Sequence, residues 1–297
     1  MESKHRKFYK DMIYENPSKA ISNIRKVLKR YVEKSKLQSL VIGISGGIDS
    51  CLCAALAKPV CDELGIPLIG RSLPMSTNAS DEIERAKLTG KVFCTDFKEV
   101  KSLGGLYFQI DEKLNGYEDS IESKIRQGNI KARLRMIYLY NLASKKNGMV
   151  LSTDNYTEYL LGFWTLHGDV GDYGMIQNLW KTEVYDMAEW LANIAPFFDE
   201  ETAIRSTIDA LATDGLGITS MGDLGQIMPD FVGTSRDGYK EVDKILKEFY
   251  VNSDKNGLIF KTDEEWKVLE NHPVGQRHIK SQFKRNNPVN IPRNLII

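Results

Sequence analysis

The sequence predicts an α/β fold in which helices cover both faces of a parallel sheet and a helical extension follows at the C-terminal end. Three observations predict it. Short apolar runs alternate with stretches of helical periodicity from residue 17 to residue 151, which is typical of βαβ units. Two of these runs lead directly into polar turns, and 42% of the 297 residues are hydrophobic, which is enough for a globular core.

The first predicted helix runs from Pro17 to Lys34, because apolar residues recur there at helical spacing behind Asn16, a typical N-cap residue. The alternation of apolar runs and amphipathic stretches predicts the elements that follow. They are a strand at 40–42, a glycine loop at 43–50, a helix ending at Leu64, a strand at 66–70, a helix at 81–89, a strand at 92–97, a helix at 120–143, a strand at 149–151 and a polar turn at 152–155.

The C-terminal half predicts helices. Residues 179–195, 239–250 and 262–270 have helical periodicity, and Thr262 with Glu265 forms the capping-box pattern. Residues 210–235 are rich in Gly and Asp and predict a loop, and the tail at 275–297 is basic and interrupted by proline. The sequence has no internal repeat or low-complexity linker, so we interpret residues 1–297 as one domain.

Charge and composition argue against several classes of function. The chain has 40 Lys and Arg residues against 40 Asp and Glu residues, so no basic excess favours a nucleic-acid partner. No stretch approaches the roughly 18 apolar residues of a membrane span, and residues 1–20 lack the apolar core of a signal peptide. We therefore expect a cytoplasmic protein without a membrane partner. The four cysteines do not have zinc-site spacing, and we interpret them as reduced structural thiols: Cys51, Cys53, Cys61 and Cys94.

The glycine loop after the first strand is the first candidate for chemistry. Ser45, Gly46 and Gly47 stand between a strand and a helix, where backbone N–H groups and the helix dipole attract a polyphosphate. The loop has neither the Gly-Lys-Ser/Thr of a Walker A motif nor G-x-G-x-x-G. Asp49 would repel a phosphate unless a divalent cation joined them, which indicates Mg²⁺ with ATP. The alternative is a tight turn whose glycines serve packing alone.

The segment SGGIDS, from Ser45 to Ser50, resembles the pyrophosphate loop of the N-type ATP pyrophosphatases. This superfamily includes NAD synthetase, GMP synthetase, argininosuccinate synthetase, the ligase domain of asparagine synthetase and tRNA-thiolating enzymes. The resemblance implies a Rossmann-like fold of the adenine nucleotide alpha hydrolase type. It also implies a reaction in which an oxygen is adenylated and pyrophosphate is released, but it does not select the substrate.

Three later segments resemble the NAD synthetase family in particular. They are GNIKARLRM at 128–136, STDNYTE at 152–158, and GFWTLHGDVGD at 162–172, which leads into LWKT at 179–182. The resemblance implies ATP-dependent amidation of deamido-NAD by ammonia through an adenylated intermediate, with release of AMP and pyrophosphate. It further implies Mg²⁺ as cofactor, ATP as co-substrate and a homodimer with the substrate site near its interface.

The residue types fit this chemistry. Asp49 and Glu158, each after a strand end, offer two carboxylates to Mg²⁺, and Lys181 offers a positive charge to the phosphates. The resemblance assigns metal binding to Asp49 and Glu158, and catalysis to Asp49 and Lys181. It assigns ATP binding to Gly43, Ile44, Ser45, Gly46, Gly47, Ile48, Asp49, Ser50, Thr153, Lys181 and Thr207. It assigns deamido-NAD binding to Asn129, Arg133, Asp169, Asp172 and Lys284.

Each assignment has a structural alternative. Glu158 suits the first turn of a helix, where the dipole favours a carboxylate, and Lys181 suits a solvated surface. Arg133 has a donor fork suited to phosphate or carboxylate, but it also suits a solvated basic helix face. Asp169 and Asp172 stand among glycines, as in a turn that binds no ligand.

The chain departs from the family's pattern in three places. Leu166 stands where many bacterial members have a lysine, and Phe283 stands where they have a histidine before the position of Lys284. The loop before Lys181 is one residue shorter, which leaves the assignment of Asp172 open. Phe283 cannot donate a hydrogen bond, whereas Lys284 keeps the chemistry of its position.

The resemblance leaves the nitrogen source and two other functions open. The first predicted strand begins at residue 40, so we expect no glutaminase domain and ammonia that is free or delivered by a separate partner. The loop at 210–235, with Asp223, is a candidate lid that excludes water from the adenylate. The alternatives are another N-type pyrophosphatase, such as a tRNA-modifying or sulfur-transfer enzyme, and a nucleotide-binding sensor that has lost catalysis.

Overall fold

A parallel sheet organises the N-terminal part of the chain. The structure, a computed structural model, describes residues 16–116, 118, 120–213, 222–250, 253–254, 257–258 and 262–287. The elements up to the end of the sheet are α1 (Pro17–Ser35), β1 (Ser39–Gly43), α2 (Ile48–Leu64), β2 (Leu68–Ser72), α3 (Ser80–Phe93), β3 (Asp96–Glu99), α4 (Ser102–Asn115), α5 (Ile121–Lys145), β4 (Gly148–Ser152), α6 (Tyr156–Leu161) and β5 (Tyr173–Gly174).

Helices dominate the C-terminal part of the chain, as the sequence predicts. They are α7 (Lys181–Ile194), α8 (Phe198–Ile208), α9 (Leu224–Ile227), α10 (Ser235–Tyr250), α11 (Asp263–Asn271), α12 (Pro273–Lys280) and α13 (Gln282–Arg285). A two-stranded hairpin, β6 (Ser253–Asp254) and β7 (Gly257–Leu258), lies between α10 and α11. Among the described residues, no helix is long and apolar enough to cross a membrane.

The strand order β3-β2-β1-β4-β5 places a topological switch point between β1 and β4. All neighbouring strands are parallel, and Leu40 of β1 is in register with Leu68 of β2 on one side and Met149 of β4 on the other. The chain builds outward from β1 to β3 and then returns through α4 and α5 to the far side of β1. In such sheets, ligands bind in the crevice beyond the carboxyl ends of the strands at the switch point.

The central strands are apolar on both faces because helices cover both. Leu40 and Ile42 face the main core with α2, whereas Val41 and Val150 pack against Ala143 on α5. This burial on both sides explains the continuous apolar run of β1, whose residues 40–42 are fully buried. The predicted fold class is therefore confirmed.

The four cysteines are free thiols, as predicted, and three of them are buried in α2. Burial raises the pKa of Cys51 to about 11, and that of Cys61 to about 12. Thiolates, rather than thiols, are the nucleophiles of sulfur chemistry. Cys51 and Cys61 therefore have the properties of core side chains.

Several predicted elements differ in the structure. The strand predicted at 92–97 is wrong, because Ala86, Gly90 and Phe93 are buried at i, i+4 and i+7 of α3, and β3 begins only at Asp96. The sequence analysis missed α4, where two consecutive glycines weaken the helical signal, and the short helices α6 and α8. The loop predicted at 210–235 contains α9 and ends where α10 begins; residues 214–221, and residues 288–297 of the tail, lie outside the described residues.

Candidate active site

The glycine loop joins β1 to α2 at the switch point. Gly46 has φ +92°, and a Cβ there would lie 2.2 Å from the backbone carbonyl oxygen of Glu82, so only glycine fits. The Ser50 hydroxyl donates to the carbonyl of Gly47 (3.0 Å) and accepts from the N–H of Ser45 (3.2 Å). These bonds brace the loop across the N-terminus of α2, where backbone N–H groups bind anions.

An open cleft lies over the carboxyl ends of β1, β2 and β4. Its walls come from the glycine loop, the turn after β4, α3, α5 and the segment around residue 169. The residues on these walls that the sequence singled out are Gly43, Ile44, Ser45, Asp49, Ser50, Thr153, Glu158, Asp169 and Asp223. The polar turns that the sequence placed at neighbouring strand ends therefore meet in one cleft.

A buried cluster of one ammonium and two carboxylates forms the floor of this region. Lys181, only 2% exposed, donates from Nζ to Asp49 Oδ2 and to Glu158 Oε1, the second at 2.9 Å. The side-chain amide of Asn155 donates to the other oxygen of Asp49 at 2.9 Å. The Lys181 Nζ also lies 5.3 Å from the centre of the Tyr239 ring. The expectation that Lys181 and Glu158 act beside Asp49 thus has a geometric basis.

The electrostatics of this cluster favour an additional cation. Burial, and then repulsion by Asp49, raise the pKa of Glu158 to about 7, although Lys181 opposes the shift. Burial and the charge of Asp169 raise the pKa of Asp154 to about 8. Burial lowers the pKa of Lys181, but Asp49 and Glu158 outweigh that effect and hold it well above its usual value. One ammonium faces more carboxylates than it can neutralise.

Asp49 and Glu158 fit a magnesium ion by their chemistry. Among the described residues, no group of three or more His, Cys, Asp or Glu side chains forms a preassembled metal site. Mg²⁺, however, usually takes one or two protein carboxylates and completes its shell with water and substrate phosphates. Both carboxylates lie beside the glycine loop, on either side of Lys181 Nζ. A resident ion at this position would have to share these oxygens with Lys181.

Two predicted ligand-binding residues lie elsewhere. Thr207 is 1% exposed in α8, and its hydroxyl donates to the carbonyl of Ile204 at 2.7 Å, so it is committed to its own helix. Asp172 accepts from the N–H of Val150 at 2.9 Å, and its own N–H donates to the Val150 carbonyl at 2.8 Å. Asp172 thus holds the chain to the edge of β4. The structure does not bring either residue to the cleft wall.

Two residues of α5 contact the segment 162–169 that borders the cleft. Asn129 accepts through Oδ1 from the hydroxyl of Thr165 at 2.9 Å. The guanidinium of Arg133 is exposed and donates from Nη2 to the carbonyl of Leu166 at 3.2 Å. The two α5 residues predicted to bind deamido-NAD therefore contact the same loop.

Lys284 reaches this loop from the C-terminal side. Its ammonium donates to the carbonyl of Gly162 at 2.7 Å and to that of Trp164. Burial, and then the charge of Arg277, lower the pKa of Lys284 to about 8. Asp169 accepts from the N–H of Thr165 at 2.7 Å and lines the cleft. The structure thus gathers four of the five predicted deamido-NAD residues around one loop.

The C-terminal helices α12 and α13 hold the C-terminal end of α6. The carbonyl of Leu160 accepts from His278 Nδ1 (2.8 Å), Arg285 Nη1 (2.5 Å) and the Ser281 hydroxyl (3.3 Å). Arg277 donates to the next carbonyl at 2.9 Å. Burial, and then the charge of Arg285, lower the pKa of His278 to about 4, so the ring is neutral at pH 7.

Sequence reasoning missed polar residues on the cleft wall. Asp154 lies in the polar turn that the sequence did predict, so its position after β4 was an available signal. Glu82, 6% exposed, and Arg71, 3% exposed, also line the cleft. Glu82 gave no signal because it is one of the polar residues expected on an amphipathic helix such as α3. Arg71 lies in a strand that was predicted from its apolar residues, and its guanidinium pairs with the carboxylate of Asp96 at 2.8 Å.

The fold and the cleft together are those of a nucleotide-dependent α/β enzyme, with a glycine loop beside paired carboxylates. The model of the NAD synthase family matches residues 20–202. This chain belongs to the NAD synthase family.

Individual relatives agree with this assignment. The chain is 33% identical over 261 residues to an NH(3)-dependent NAD(+) synthetase of Thermoplasma acidophilum, covering 86% of this chain and 91% of the relative. It is 36% identical over 178 residues to one of Finegoldia magna, covering 59% of this chain and 70% of the relative.

Solved structures support the fold. An NH3-dependent NAD synthetase from Campylobacter jejuni superposes with a TM-score of 0.64 at 25% identity, covering 93% of this chain and all of that one. An NMN synthetase from Francisella tularensis superposes with a TM-score of 0.71 at 22% identity, covering 94% of this chain and 99% of that one. Because its identity is only 22%, the likeness to the NMN synthetase supports the fold and not the function.

Proposed function

We propose that this chain catalyses the ATP-dependent amidation of deamido-NAD by ammonia, giving NAD, AMP and pyrophosphate through an adenylated intermediate. The observation that carries the proposal is the buried contact of Lys181 with Asp49 and Glu158 directly beside the glycine loop. The names of the relatives and the membership in the NAD synthase family support the choice of substrate. ATP is the co-substrate that the family uses.

The mechanism follows from charge and position. The carboxylate oxygen of deamido-NAD attacks the α-phosphorus of ATP, and the bond from that phosphorus to the oxygen of the β-phosphate breaks. Backbone N–H groups in the first turn of α2 bind the phosphates, and Lys181 stabilises the charge that develops on the leaving pyrophosphate. Mg²⁺, held by Asp49 and Glu158, supplies neutralisation of the phosphate charge when bound. Ammonia then attacks the acyl carbon and AMP leaves.

The proposed deamido-NAD site is the region around the loop 162–169. Asn129, Arg133, Asp169 and Lys284 all contact this loop, and the exposed guanidinium of Arg133 suits the phosphates or the carboxylate of the substrate. The proposed deamido-NAD site omits Asp172 and the proposed ATP site omits Thr207, because their polar groups bind the backbone of β4 and α8.

A homodimer is part of the proposal. Apolar side chains on α4 and α5 are exposed to an extent that favours contact with a second copy of the chain. Their exposed fractions run from 45% to 70%: Leu106, Phe108, Leu114, Ile121, Ile125 and Ile137. Sedimentation equilibrium distinguishes a dimer from a monomer of 33.7 kDa, and Phe108→Glu with Ile125→Glu should weaken the dimer. We also propose a cytoplasmic location, which cell fractionation tests.

A single incubation tests the proposed reaction. The protein is mixed with ATP, Mg²⁺, deamido-NAD and ammonium, and NAD, AMP and pyrophosphate are quantified; we expect the three products in equal amounts. Because one structural neighbour is named an NMN synthetase, nicotinic acid mononucleotide is tested in parallel. Lys181→Met should abolish the reaction, and Lys58→Met, at an exposed ion pair, should leave it unchanged. Folded protein that forms no NAD would refute the proposal.

The sulfur-transfer alternative is less compatible with the thiols. Such chemistry needs a thiolate, and burial holds the pKa of Cys51 at about 11 and that of Cys53 well above its usual value. The sensor alternative predicts ATP binding without release of pyrophosphate, which the same incubation measures.

A further inference from the structure

Lys181 and Glu158 stand on different helices, and a third helix joins those two. Asp243 of α10, 1% exposed, accepts from the hydroxyl of Thr157 at 2.5 Å and from the N–H of Thr182 at 2.9 Å. The hydroxyl of Thr157 in turn accepts from the backbone N–H of Lys181 at 2.8 Å. One carboxylate thus connects the residue before Glu158 with the first turn of α7.

The N-terminus of α7 requires such a partner. The first N–H groups of a helix have no acceptor within the helix, and they cost free energy when buried without one. Trp180, the N-cap residue of α7, offers no oxygen or other acceptor in its side chain. Thr157 and Asp243 supply the acceptors for the N–H groups of Lys181 and Thr182, and the negative charge of Asp243 lies at the positive end of the helix dipole.

We propose that Asp243, acting through Thr157, is a positioning residue that sets the distance between Lys181 and Glu158, an inference that rests on the proposed function. Both carboxylate oxygens of Asp243 bind Thr157 and Thr182, so Asp243 acts through these residues and not on the substrate. Its two hydrogen bonds fix α7 against α6 at the level where the ammonium meets the carboxylates. A shift of about 1 Å at this level is enough to reduce turnover by about a hundredfold.

Asparagine at position 243 cannot replace the carboxylate. The Thr157 hydroxyl and the Thr182 N–H bind different oxygens of the Asp243 carboxylate, and asparagine puts an NH₂ donor in place of one of these oxygens. Its amide group would instead compete as a donor with the N–H of Lys181 for the Thr157 oxygen. Asp243→Asn therefore disturbs the network while it keeps the shape of the side chain.

The experiment compares variants of the network by steady-state kinetics on the full chain. Asp243→Asn and Thr157→Val should each lower kcat at least tenfold, with KM for ATP and deamido-NAD changed less than threefold. Thr157→Ser keeps the hydroxyl and should retain most of kcat. The double variant with Asn at 243 and Val at 157 should be no worse than the poorer single variant, because both changes break one network.

Val242→Ala is the matched control for stability. Val242 is fully buried on the same helix, and its truncation weakens the packing of α10 without touching the network. It should lower the melting temperature and leave kcat per folded molecule unchanged. If Asp243→Asn also leaves kcat per folded molecule unchanged, the residue is merely structural and the inference is overturned.

A measurement without substrate separates this inference from the proposed function. Amide hydrogen exchange at Lys181 and Thr182 should accelerate at least tenfold in Asp243→Ala relative to Val242→Ala. If the wild type makes no NAD but these amides respond as expected, the proposed function fails and the positioning contact stands. Exchange that is equal in the two variants overturns the positioning role whatever the activity.

Discussion

Lys181→Met tests the charge balance at the floor of the cleft. Methionine has nearly the length of lysine and keeps the packing, but it leaves Asp49 and Glu158 without their shared cation. Removal of one partner from a buried ion pair costs about 3–5 kcal/mol. The two carboxylates retain 17% and 14% exposure, so water screens part of the loss and we expect the lower limit, about 3 kcal/mol.

This loss converts into a measurable change in melting temperature. The entropy of unfolding is about 2.1 cal/mol/K per residue, or roughly 0.6 kcal/mol/K for 297 residues, so about 3 kcal/mol lowers the melting temperature by about 5 °C. Scanning calorimetry in EDTA measures it. A second scan with Mg²⁺ should recover most of the loss in the variant, since binding at a hundred times Kd is worth about 2.7 kcal/mol.

Lys58→Met is the control, because Lys58 pairs with Asp62 at the surface and each side chain is at least 33% exposed. Such pairs contribute about 0–1 kcal/mol, so this variant should melt within about 2 °C of the wild type and show the wild-type response to Mg²⁺. The reasoning fails if Lys181→Met melts like Lys58→Met. It also fails if Mg²⁺ stabilises the wild type and Lys181→Met equally, because Lys181 would then not compete with the ion for these carboxylates.

The remaining predictions concern the loop, a helix and the C-terminal contacts. Gly46→Ala should lower the free energy of unfolding by more than about 2 kcal/mol, because the new Cβ would meet the carbonyl of Glu82 at a positive φ. It should also lower the affinity for ATP at least tenfold, as measured by calorimetry. The control Gly105→Ala, in open space on α4, should instead raise the free energy of unfolding by about 0.5–1 kcal/mol. His278 has a folded pKa of about 4, below its usual 6.5, so the unfolded chain binds its proton more readily and stability falls from pH 6.5 to 4. The loss should be about 3 kcal/mol in urea titrations and much smaller in His278→Gln; equal pH slopes would contradict this prediction.

The sequence was sufficient to predict candidate site residues that lie at the end of a strand. Asp49 and Glu158 could be paired because β1 and β4 run parallel and end at one edge of the sheet, whatever the helices do. Lys181 could be expected near phosphates only by resemblance. Its burial between the two carboxylates depends on how α7 approaches α6, and no local pattern around Trp180 encodes that approach.

Two predicted site residues, Thr207 and Asp172, bond to the backbone in the structure, and the sequence could not indicate this for physical reasons. The Thr207 hydroxyl can bond to its own helix or to a ligand, and only the buried environment of α8 decides between them. The position of Asp172 was open for the same reason, because a carboxylate among glycines can bind the backbone of a neighbouring strand as readily as a substrate. Glu82 escaped notice because an acidic residue in the first turn of a helix needs no functional explanation.

The short helix α6 explains why the C-terminal extension belongs to the site, although none of its described residues at 235–250 and 262–287 lines the cleft. A helix of six residues is too short to hold its own conformation, so tertiary contacts must fix it. Its first turn presents Glu158 to Lys181, its Thr157 binds Asp243 of α10, and its Leu160 carbonyl receives three donors from α12 and α13. Most of these contacts are hydrogen bonds to a backbone carbonyl, which every residue type has, so no sequence motif predicts them.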